Sequence, residues 1–530
     1  MEVVFKPYNQ NQITLFPEAL DDYIPKNHPA RLISWVVDRL DISPIMKTYK
    51  GGGTSSYHPR MMLKILFLAY LLNVFSSRKI EKLLCENVAF MWLSGKQCPD
   101  FRTINNFRSK RLKKHIQKLF SEVVIMLAEL GMVDIRKIAY TDGTKIEANA
   151  NKYTFVWQGS VNYQKDKLEA RLKAILKEIS AQIKLESKEK NQEDFDIEKL
   201  DSALLEEKIE ELNQKIKNDD RIQPTQKKKL QRKIEKIEKN ELKKLKQYEK
   251  QLEIIGPDRK SYSKTDPDAT FMRMKDDRMN NKELKPAYNV QISTQNQIIT
   301  HYGIYQNRTD TRTYIDHLKK YHEHYGVYPE KAVADAGYGS EENYAFMEAH
   351  SIVSYVKYNW YEKEQKKKHR LDISNVSNLY YNEKEDYFVC PIGQKMYLKR
   401  RYKEKNRSGY EQEISVYQAQ NCRGCPMRGS CHKSAGNRQI HVNHRLRKYK
   451  EISRRNLLSE EGEKYRKKRS VEPESVFGQL KQNKGFRRFS LRGLENVETE
   501  FGLVAISHNL QKLWKWLLGD NAGGRVIQIT

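Results

Sequence analysis

Two short apolar segments that end in aspartate decide the fold of this chain. Residues 137–142 read KIAYTD, and residues 331–335 read KAVAD. Each segment has the length and apolar content of a buried strand, and each ends in a carboxylate. If these strands are neighbours in one sheet, Asp142 and Asp335 lie together at its edge. The pattern therefore predicts an acidic site built from residues far apart in the chain.

The segments around these strands complete an α/β pattern. Residues 287–293 and 298–304 alternate as the two strands of a hairpin, joined by residues 294–297. A helix precedes the second aspartate segment, while a helix at 341–350 and a strand at 352–356 follow it. The order strand, strand, strand, helix, strand, helix, strand, helix predicts a mixed sheet flanked by helices.

Composition narrows the class of partner. The 530 residues carry 97 Lys+Arg against 68 Asp+Glu, a net charge of +29, and 38% are hydrophobic. That hydrophobic content excludes a disordered polyelectrolyte, and the charge predicts a polyanionic partner such as DNA. A membrane is the weaker option, because the longest apolar run, residues 61–75, is too short to span one and contains Lys64. The N-terminus lacks the layout of a secretion signal, so we expect a cytoplasmic, nucleoid-associated protein.

A helical pattern extends from His58 to about Leu130, and its most informative part is residues 99–111, PDFRTINNFRSKR. Asp100 is placed to cap a short helix whose apolar residues, including Phe101, pack inward. With two helices before it, this helix is typical of the recognition helix in a helix-turn-helix domain. An ordinary amphipathic helix is the alternative. The outward side chains that we predict to contact DNA are Arg102, Asn105, Asn106 and Arg108.

A third carboxylate comes from the last helical stretch, which carries Glu472 and Glu474. Three converging carboxylates are costly to ionise together unless cations neutralise them. Hard oxygen ligands select Mg²⁺ or Mn²⁺, and two such ions stabilise both the attacking and the leaving oxygen at a phosphodiester. Asp266, Asp268 and Asp310 are rival carboxylates, although loop aspartates are more often turn formers.

Six cysteines remain to be explained. Cys390, Cys422, Cys425 and Cys431 have the pattern of a structural Zn²⁺ site with four thiolate ligands. An iron–sulfur cluster, replacement of Cys431 by His432, or four free thiols are the alternatives. We expect the other two, Cys85 and Cys98, to be buried core thiols.

Taken in order, these motifs resemble the DDE transposases of bacterial insertion sequences, which have a ribonuclease-H-like catalytic fold. The resemblance covers nearly the whole chain. It rests on residues 58–64, 99–108, 140–144 and 334–338, on the glutamate-rich helix, and on residues 485–489 and 505–510. It implies that Asp142 and Asp335 are the two catalytic aspartates, and that they bind Mg²⁺ or Mn²⁺.

The third catalytic residue is implied by spacing within the same family. Its glutamate is typically followed, after six residues, by a Lys or Arg, which Glu474 and Lys481 satisfy. Lys481 would then hold a DNA phosphate. The upstream part of the motif departs from the pattern, because Tyr465 and Arg469 do not both lie at the usual offsets from Glu474. This departure keeps Glu472 open as the alternative.

The resemblance further implies a transposase that binds the terminal inverted repeats of its element, cleaves there and joins the 3′-OH ends to target DNA. Double-stranded DNA would be the partner, and a homodimer would form the synaptic complex. Two alternatives remain, namely an inactive DNA-binding derivative and a ribonuclease-H-like nuclease that does not join strands. Further DNA contacts are predicted at Arg487, Arg488 and Arg492, with Phe486 and Phe489 stacking on a displaced base.

The sequence thus predicts an α/β protein with a ribonuclease-H-like mixed sheet and two insertions. The predicted parts are an N-terminal helical domain (1–133), the first catalytic part (134–163), an inserted helical hairpin or coiled coil (164–256), the second catalytic part (257–358), a Cys-rich, zinc-ribbon-like insertion (359–445), and a C-terminal catalytic helix with a basic tail (446–530).

Overall fold

The computed structural model describes residues 19–49, 55–187, 200–219, 221–274, 283–406 and 408–519. They divide into two compact units. The first contains the described residues of 1–146, 289–305 and 309–530, and the second contains those of 147–288 together with 306–308. None of the described helices is long and apolar enough to cross a membrane.

The described chain before the first strand is helical. Its helices are α1 Pro29–Arg39, α2 Ser43–Met46, α3 Pro59–Leu71, α4 Ser77–Glu86, α5 Val88–Ser94, α6 Phe101–Asn106 and α7 Ile116–Glu129, with a π-helical turn at Phe107–Arg111 that continues α6. Pro59 begins α3, and the Asp100 side chain accepts the N–H of Thr103 at the start of α6. Both helix starts were predicted, and both are confirmed.

Thirteen strands lie in the described residues. They are β1 Ile138–Glu147, β2 Phe155–Trp157, β3 Ser261–Ser263, β4 Thr270–Arg273, β5 Leu284–Gln295, β6 Ile298–Tyr305, β7 Lys331–Ala334, β8 Val353–Val356, β9 Tyr381–Asn382, β10 Tyr387–Val389, β11 Lys395–Lys405, β12 Glu411–Ala419 and β13 Gln439–Val442. The remaining α-helices are α8 Gln158–Ser187, α9 Ser202–Asn218, α10 Pro224–Lys236, α11 Lys243–Ile255, α12 Tyr314–Tyr325, α13 Glu341–Ala349, α14 Tyr361–Glu364, α15 Lys367–Arg370, α16 Arg428–Cys431, α17 His444–Leu458, α18 Glu460–Arg469, α19 Ser475–Gly478 and α20 Leu494–Leu518.

The sheet of the first unit has the strand order β6-β5-β1-β7-β8. Strands β5 and β6 form the predicted antiparallel hairpin, whereas β1, β7 and β8 are parallel. Ile138 pairs with Lys331 and Tyr140 with Val333, and the same offset carried two residues further aligns Asp142 with Asp335. The predicted mixed sheet flanked by helices is confirmed.

The long helix α20 packs against α3, α7 and β6. Gly502 allows this close approach, because a Cβ there would lie 2.3 Å from Tyr302 Oη and 2.4 Å from Ile116 Cγ1. Asn509 donates to the carbonyl of Ile299 and accepts its N–H, at 2.8 and 2.9 Å. The N-terminal helices and the sheet therefore share one buried helix.

The second unit contains the segment 164–256, which is rich in Lys and Glu. The prediction of a helical hairpin with two arms is wrong here, because the segment forms three helical stretches. Helix α8, helix α9 and the continuous stretch from α10 through a π-helical turn to α11 share one apolar core. Asp201 caps α9, and Pro224 begins α10 after a short turn. Pro224 therefore starts a third helical stretch instead of interrupting one arm of a hairpin.

The Cys-containing segment forms an antiparallel sheet with the order β13-β12-β11-β10-β9. Its core includes Phe388, Met396, Tyr417 and Cys422. Cys85 and Cys98 are not core thiols as predicted, because both are exposed and their Sγ atoms lie 3.1 Å apart.

Fully buried histidines, among them His317 and His508, make stability depend on pH. Burial lowers the pKa of His317 and of His508 to about 3. His317 Nε2 lies 2.8 Å from Ser293 Oγ, and His508 Nε2 lies 2.9 Å from the carbonyl of Gln297. Both imidazoles are therefore neutral in the folded protein at pH 5.5, whereas in the unfolded chain they take up a proton below about pH 6.5.

We expect the free energy of unfolding to fall between pH 7 and pH 5.5 by about 1 kcal/mol for each of these histidines, because only the unfolded state binds the protons. Urea unfolding of the wild type and of His508→Gln, at both pH values, measures this. The variant, whose amide can still donate to Gln297, should lose about 1 kcal/mol less than the wild type. Equal losses in the two proteins would contradict the assignment.

Candidate active site

Asp142 and Asp335 lie on neighbouring parallel strands of the first unit. Asp142 is part of β1, and its Oδ1 accepts the N–H of Gly143 at 2.8 Å. Asp335 directly follows β7, and its Oδ1 accepts the N–H of Gly337 at 2.8 Å. Because the strand register aligns the two residues and adjacent strands lie about 4.8 Å apart, the two carboxylates share one sheet edge.

Arg469 joins Asp142 to Glu474. Its guanidinium lies 3.7 Å from Asp142 Oδ2, and it donates to Glu474 Oε1 at 2.7 Å. Residues 470–474 form a π-helical turn, whose repeat places residues five apart on one face. This turn therefore places Arg469 and Glu474 on the same side of the helical segment.

Glu472 points elsewhere. It is 1% exposed, and its two carboxylate oxygens accept the N–H groups of Asn296 and Gln297 at 3.0 and 2.8 Å, at the β5–β6 turn. Lys468 lies 3.5 Å from the same carboxylate. Glu472 therefore anchors the helix to the hairpin, whereas Glu474 faces Arg469 and the sheet edge.

Lys481 lies near the same edge. Its ammonium group donates to Thr144 Oγ1 at 2.6 Å, and Thr144 is two residues beyond Asp142 on β1. The structure thus gathers Asp142, Glu474 and Lys481 around the middle of β1, with Arg469 between the two carboxylates.

Asp310 also reaches this edge. Asn289 Nδ2 and Gln291 Nε2 each donate to Asp310 Oδ1 at 2.8 Å. Burial, followed by the charges of Asp310, Asp142 and Asp335, raises the pKa of the Tyr338 phenol well above its usual value. The other rivals lie in the second unit, where Asp266 is buried and accepts the hydroxyl proton of Tyr288 at 2.9 Å.

The donor atoms at this edge are carboxylate oxygens, the ligands that Mg²⁺ and Mn²⁺ prefer. Within the described residues, no three His, Cys, Asp or Glu side chains converge closely enough to form a metal-binding group in this conformation. Arg469 instead supplies the positive charge between Asp142 and Glu474.

The predicted recognition helix presents only part of its expected polar face. Arg102 and Asn106 are exposed. Arg108 does not face outward, since it is 3% exposed and donates to Tyr70 Oη at 2.8 Å and to Asn105 Oδ1 at 2.9 Å. Asn105 is half-buried in the same network, because the π-helical turn after α6 rotates Arg108 toward α3 and α4.

The prediction for the basic segment 486–492 is also confirmed only in part. Arg487, Arg488 and Arg492 are exposed, as predicted. Phe486 and Phe489 are 1% and 2% exposed, and their rings pack edge-to-face on each other. They belong to the core, so they are not placed to stack on a DNA base.

The four cysteines predicted to bind zinc line one small cavity of about 20 Å³, together with His432 and Arg438. Arg438 donates to Cys431 Sγ through its guanidinium at 2.8 Å and to Cys422 Sγ through its backbone N–H at 3.3 Å.

Sequence reasoning missed Arg469 as a bridging cation, and it named Asp310 only as a rival carboxylate, without its position beside Asp142. The sequence does contain a signal for the position of Asp310. Asn289 and Gln291 are polar residues two apart in an otherwise apolar strand, so both point to one face of the sheet. Both are buried, which requires polar partners, and Asp310 is that partner.

The different environments of the two glutamates give a stability test. We expect Glu472→Ala to lower the free energy of unfolding by about 2–4 kcal/mol, because a buried side chain is removed and two partly buried N–H groups lose their acceptor. Glu474→Ala should cost less than about 1 kcal/mol, because its side chain is 47% exposed. Urea unfolding of both variants measures the difference, and equal losses would argue against the anchoring role of Glu472.

Comparison with known proteins identifies the family. A model described as the Transposase DDE domain matches residues 389–514, which include Glu474 and Lys481. A model described as a transposase domain (DUF772) matches residues 18–110, which include α1 to α6. No curated protein matches the chain. Two different transposase models thus match separate parts of the sequence, and together they support a DDE-type transposase of the insertion-sequence type.

Proposed function

We propose that this protein binds the terminal inverted repeats of its element and catalyses DNA cleavage and strand transfer at one acidic site formed by Asp142, Asp335 and Glu474. The observation that carries the proposal is the contact of Arg469 with both Asp142 and Glu474, at the edge where the strand register aligns Asp335. Residues from two strands and one helix thereby meet at one place.

Each of these groups has a defined task. The three carboxylates would hold Mg²⁺ or Mn²⁺, two ions in all, which would polarise the phosphodiester and stabilise the attacking and leaving oxygens. Arg469 holds Asp142 and Glu474 near each other before the ions bind. Lys481, oriented by Thr144, contacts a phosphate of the bound strand.

The reaction consists of two successive displacements at phosphorus. Water first attacks the phosphodiester at the element end, which frees a 3′-OH. That hydroxyl then attacks a target phosphodiester. The exposed Arg102 and Asn106 suit contact with the inverted repeats, and Arg487, Arg488 and Arg492 suit contact with the DNA backbone. The protein would act as a homodimer that brings two element ends together.

The test is a cleavage and joining assay on DNA that carries the inverted repeats flanking the gene, with Mg²⁺. We expect Asp142→Asn and Asp335→Asn each to lower the cleavage rate at least about 100-fold, because loss of a metal ligand costs more than loss of its outer partners. Asp134→Asn, an exposed aspartate before β1, is the matched control and should cleave normally.

The outcomes separate the alternatives. Tight binding of the ends by the wild type without cleavage would identify an inactive DNA-binding derivative. Cleavage without joined products would identify a nuclease. Normal cleavage by Asp142→Asn would overturn the proposed site.

A structural Zn²⁺ held by Cys390, Cys422, Cys425 and Cys431 is part of the proposal. The four thiols line one cavity, and the Arg438 contacts to Cys422 and Cys431 suit thiolates, which accept hydrogen bonds. Four protein ligands would leave no open position, so this ion would stabilise the small sheet and take no part in the reaction.

Metal analysis of protein purified without chelators tests the zinc site. We expect about one zinc per chain in the wild type and a large loss in Cys425→Ser, because a structural site needs all four ligands. Cys85→Ser, which changes an exposed thiol outside the cluster, should retain zinc. Iron in place of zinc would indicate a cluster, and equal zinc in both variants would rule out the four-cysteine site.

A further inference from the structure

Asp310 is held in a network that none of the roles above explains. It begins the 3-10 turn Asp310–Arg312, which follows β6 after a short loop. Its Oδ1 accepts from Asn289 and from Gln291, both on β5 and both essentially inaccessible to solvent. Two amide donors on one carboxylate oxygen fix the plane of the carboxylate.

The orientation of the amides is itself determined. The buried Tyr338 hydroxyl donates to Gln291 Oε1. The amide nitrogen of Gln291 must therefore face Asp310 Oδ1 and Asn289 Oδ1, at 2.8 and 3.1 Å. Each side chain in this hydrogen-bond network has a partner of the right type, and such a fully satisfied buried network is rigid.

The network places Asp310 against the backbone of both catalytic segments. A Cβ added to Gly143, next to Asp142, would lie 2.8 Å from Asp310 Oδ1 and 2.1 Å from Gln291 Nε2. A Cβ added to Gly337 would lie 3.0 Å from Asp335 Oδ1 and 3.7 Å from Asp310 Oδ2. Glycine at position 143 is what allows this approach, and the second oxygen of Asp310 lies at ordinary contact distance from position 337, on the side of Asp335.

We propose that Asp310 is a positioning residue of the acidic site, a fourth carboxylate that orients the divalent ion held by Asp142 and Asp335 through its water shell. This inference rests on the function proposed above.

Mn²⁺ binding by the full-length protein without DNA, followed by the electron paramagnetic resonance signal of free Mn²⁺, tests the inference. We expect Asp310→Asn to weaken binding by about 10-fold or more, the usual cost of losing an outer partner of a metal site. The asparagine oxygen can still accept from Asn289 and Gln291, so the melting temperature should change little. Asp316→Asn, an exposed position at the start of α12, is the matched control and should bind Mn²⁺ normally.

A second variant distinguishes a loss of metal binding from a loss of folding. If Asp310→Asn melts at a lower temperature, Asp310→Glu, which keeps the charge, separates charge from structure. Mn²⁺ binding by Asp310→Glu within a few-fold of the wild type supports the positioning role. An affinity as low as that of Asp310→Asn overturns it, as does an Asp310→Asn protein that binds Mn²⁺ like the wild type.

Cleavage of end-containing DNA separates this inference from the function on which it rests. We expect the Mg²⁺ concentration that gives half the maximal rate to rise about 10-fold in Asp310→Asn. If Asp142→Asn abolishes cleavage while Asp310→Asn keeps the wild-type Mg²⁺ dependence, only the role of Asp310 fails. If Asp142→Asn cleaves normally, the proposed site fails and the role of Asp310 fails with it.

Discussion

The buried carboxylate of Glu472 fixes the helical segment that carries Glu474 to the β5–β6 hairpin. Its oxygens accept the two N–H groups at the tip of the β5–β6 hairpin, and these residues, Asn296 and Gln297, have positive φ values that leave their N–H groups turned toward it. No water is needed at this junction, because the carboxylate satisfies both donors. The position of Glu474, two residues later, follows from this anchor and from the π-helical turn around it.

The same hairpin tip receives the C-terminal helix. His508 and Lys512 of α20 both contact Gln297, and Asn509 pairs with the backbone of Ile299. Because α20 also packs against α3, α7 and the π-helical turn that continues α6, the N-terminal helices are joined to the sheet through one buried element. If the N-terminal helices bind DNA as proposed, this packing gives a physical route from that contact to the acidic edge. That route is a packing pathway, and its energetic coupling is open to measurement by double-mutant cycles.

Much of the fold was predictable because it depends on local patterns. The two strands beside Asp142 and Asp335, the hairpin, and the helix starts at Pro59 and Asp100 are each encoded within a few residues, although β1 continues to Glu147 and does not end at Asp142 as predicted. Burial of individual polar and aromatic residues was not predictable, because it depends on partners distant in sequence. Arg108 looked like a DNA-contacting side chain, yet Tyr70, 38 residues away, holds it in the core. The zinc and magnesium sites remain predictions, since they depend on ions as well as on side chains.

The π-helical turn at residues 470–474 has a consequence for how such proteins diverge. A π turn accommodates one additional residue within a helix while leaving the segments on either side helical. Selection can therefore tolerate a single-residue insertion or deletion beside Glu474, provided that Arg469 and Glu474 still face the same side. Such a change alters the spacing of the two residues in the sequence without separating their side chains in space.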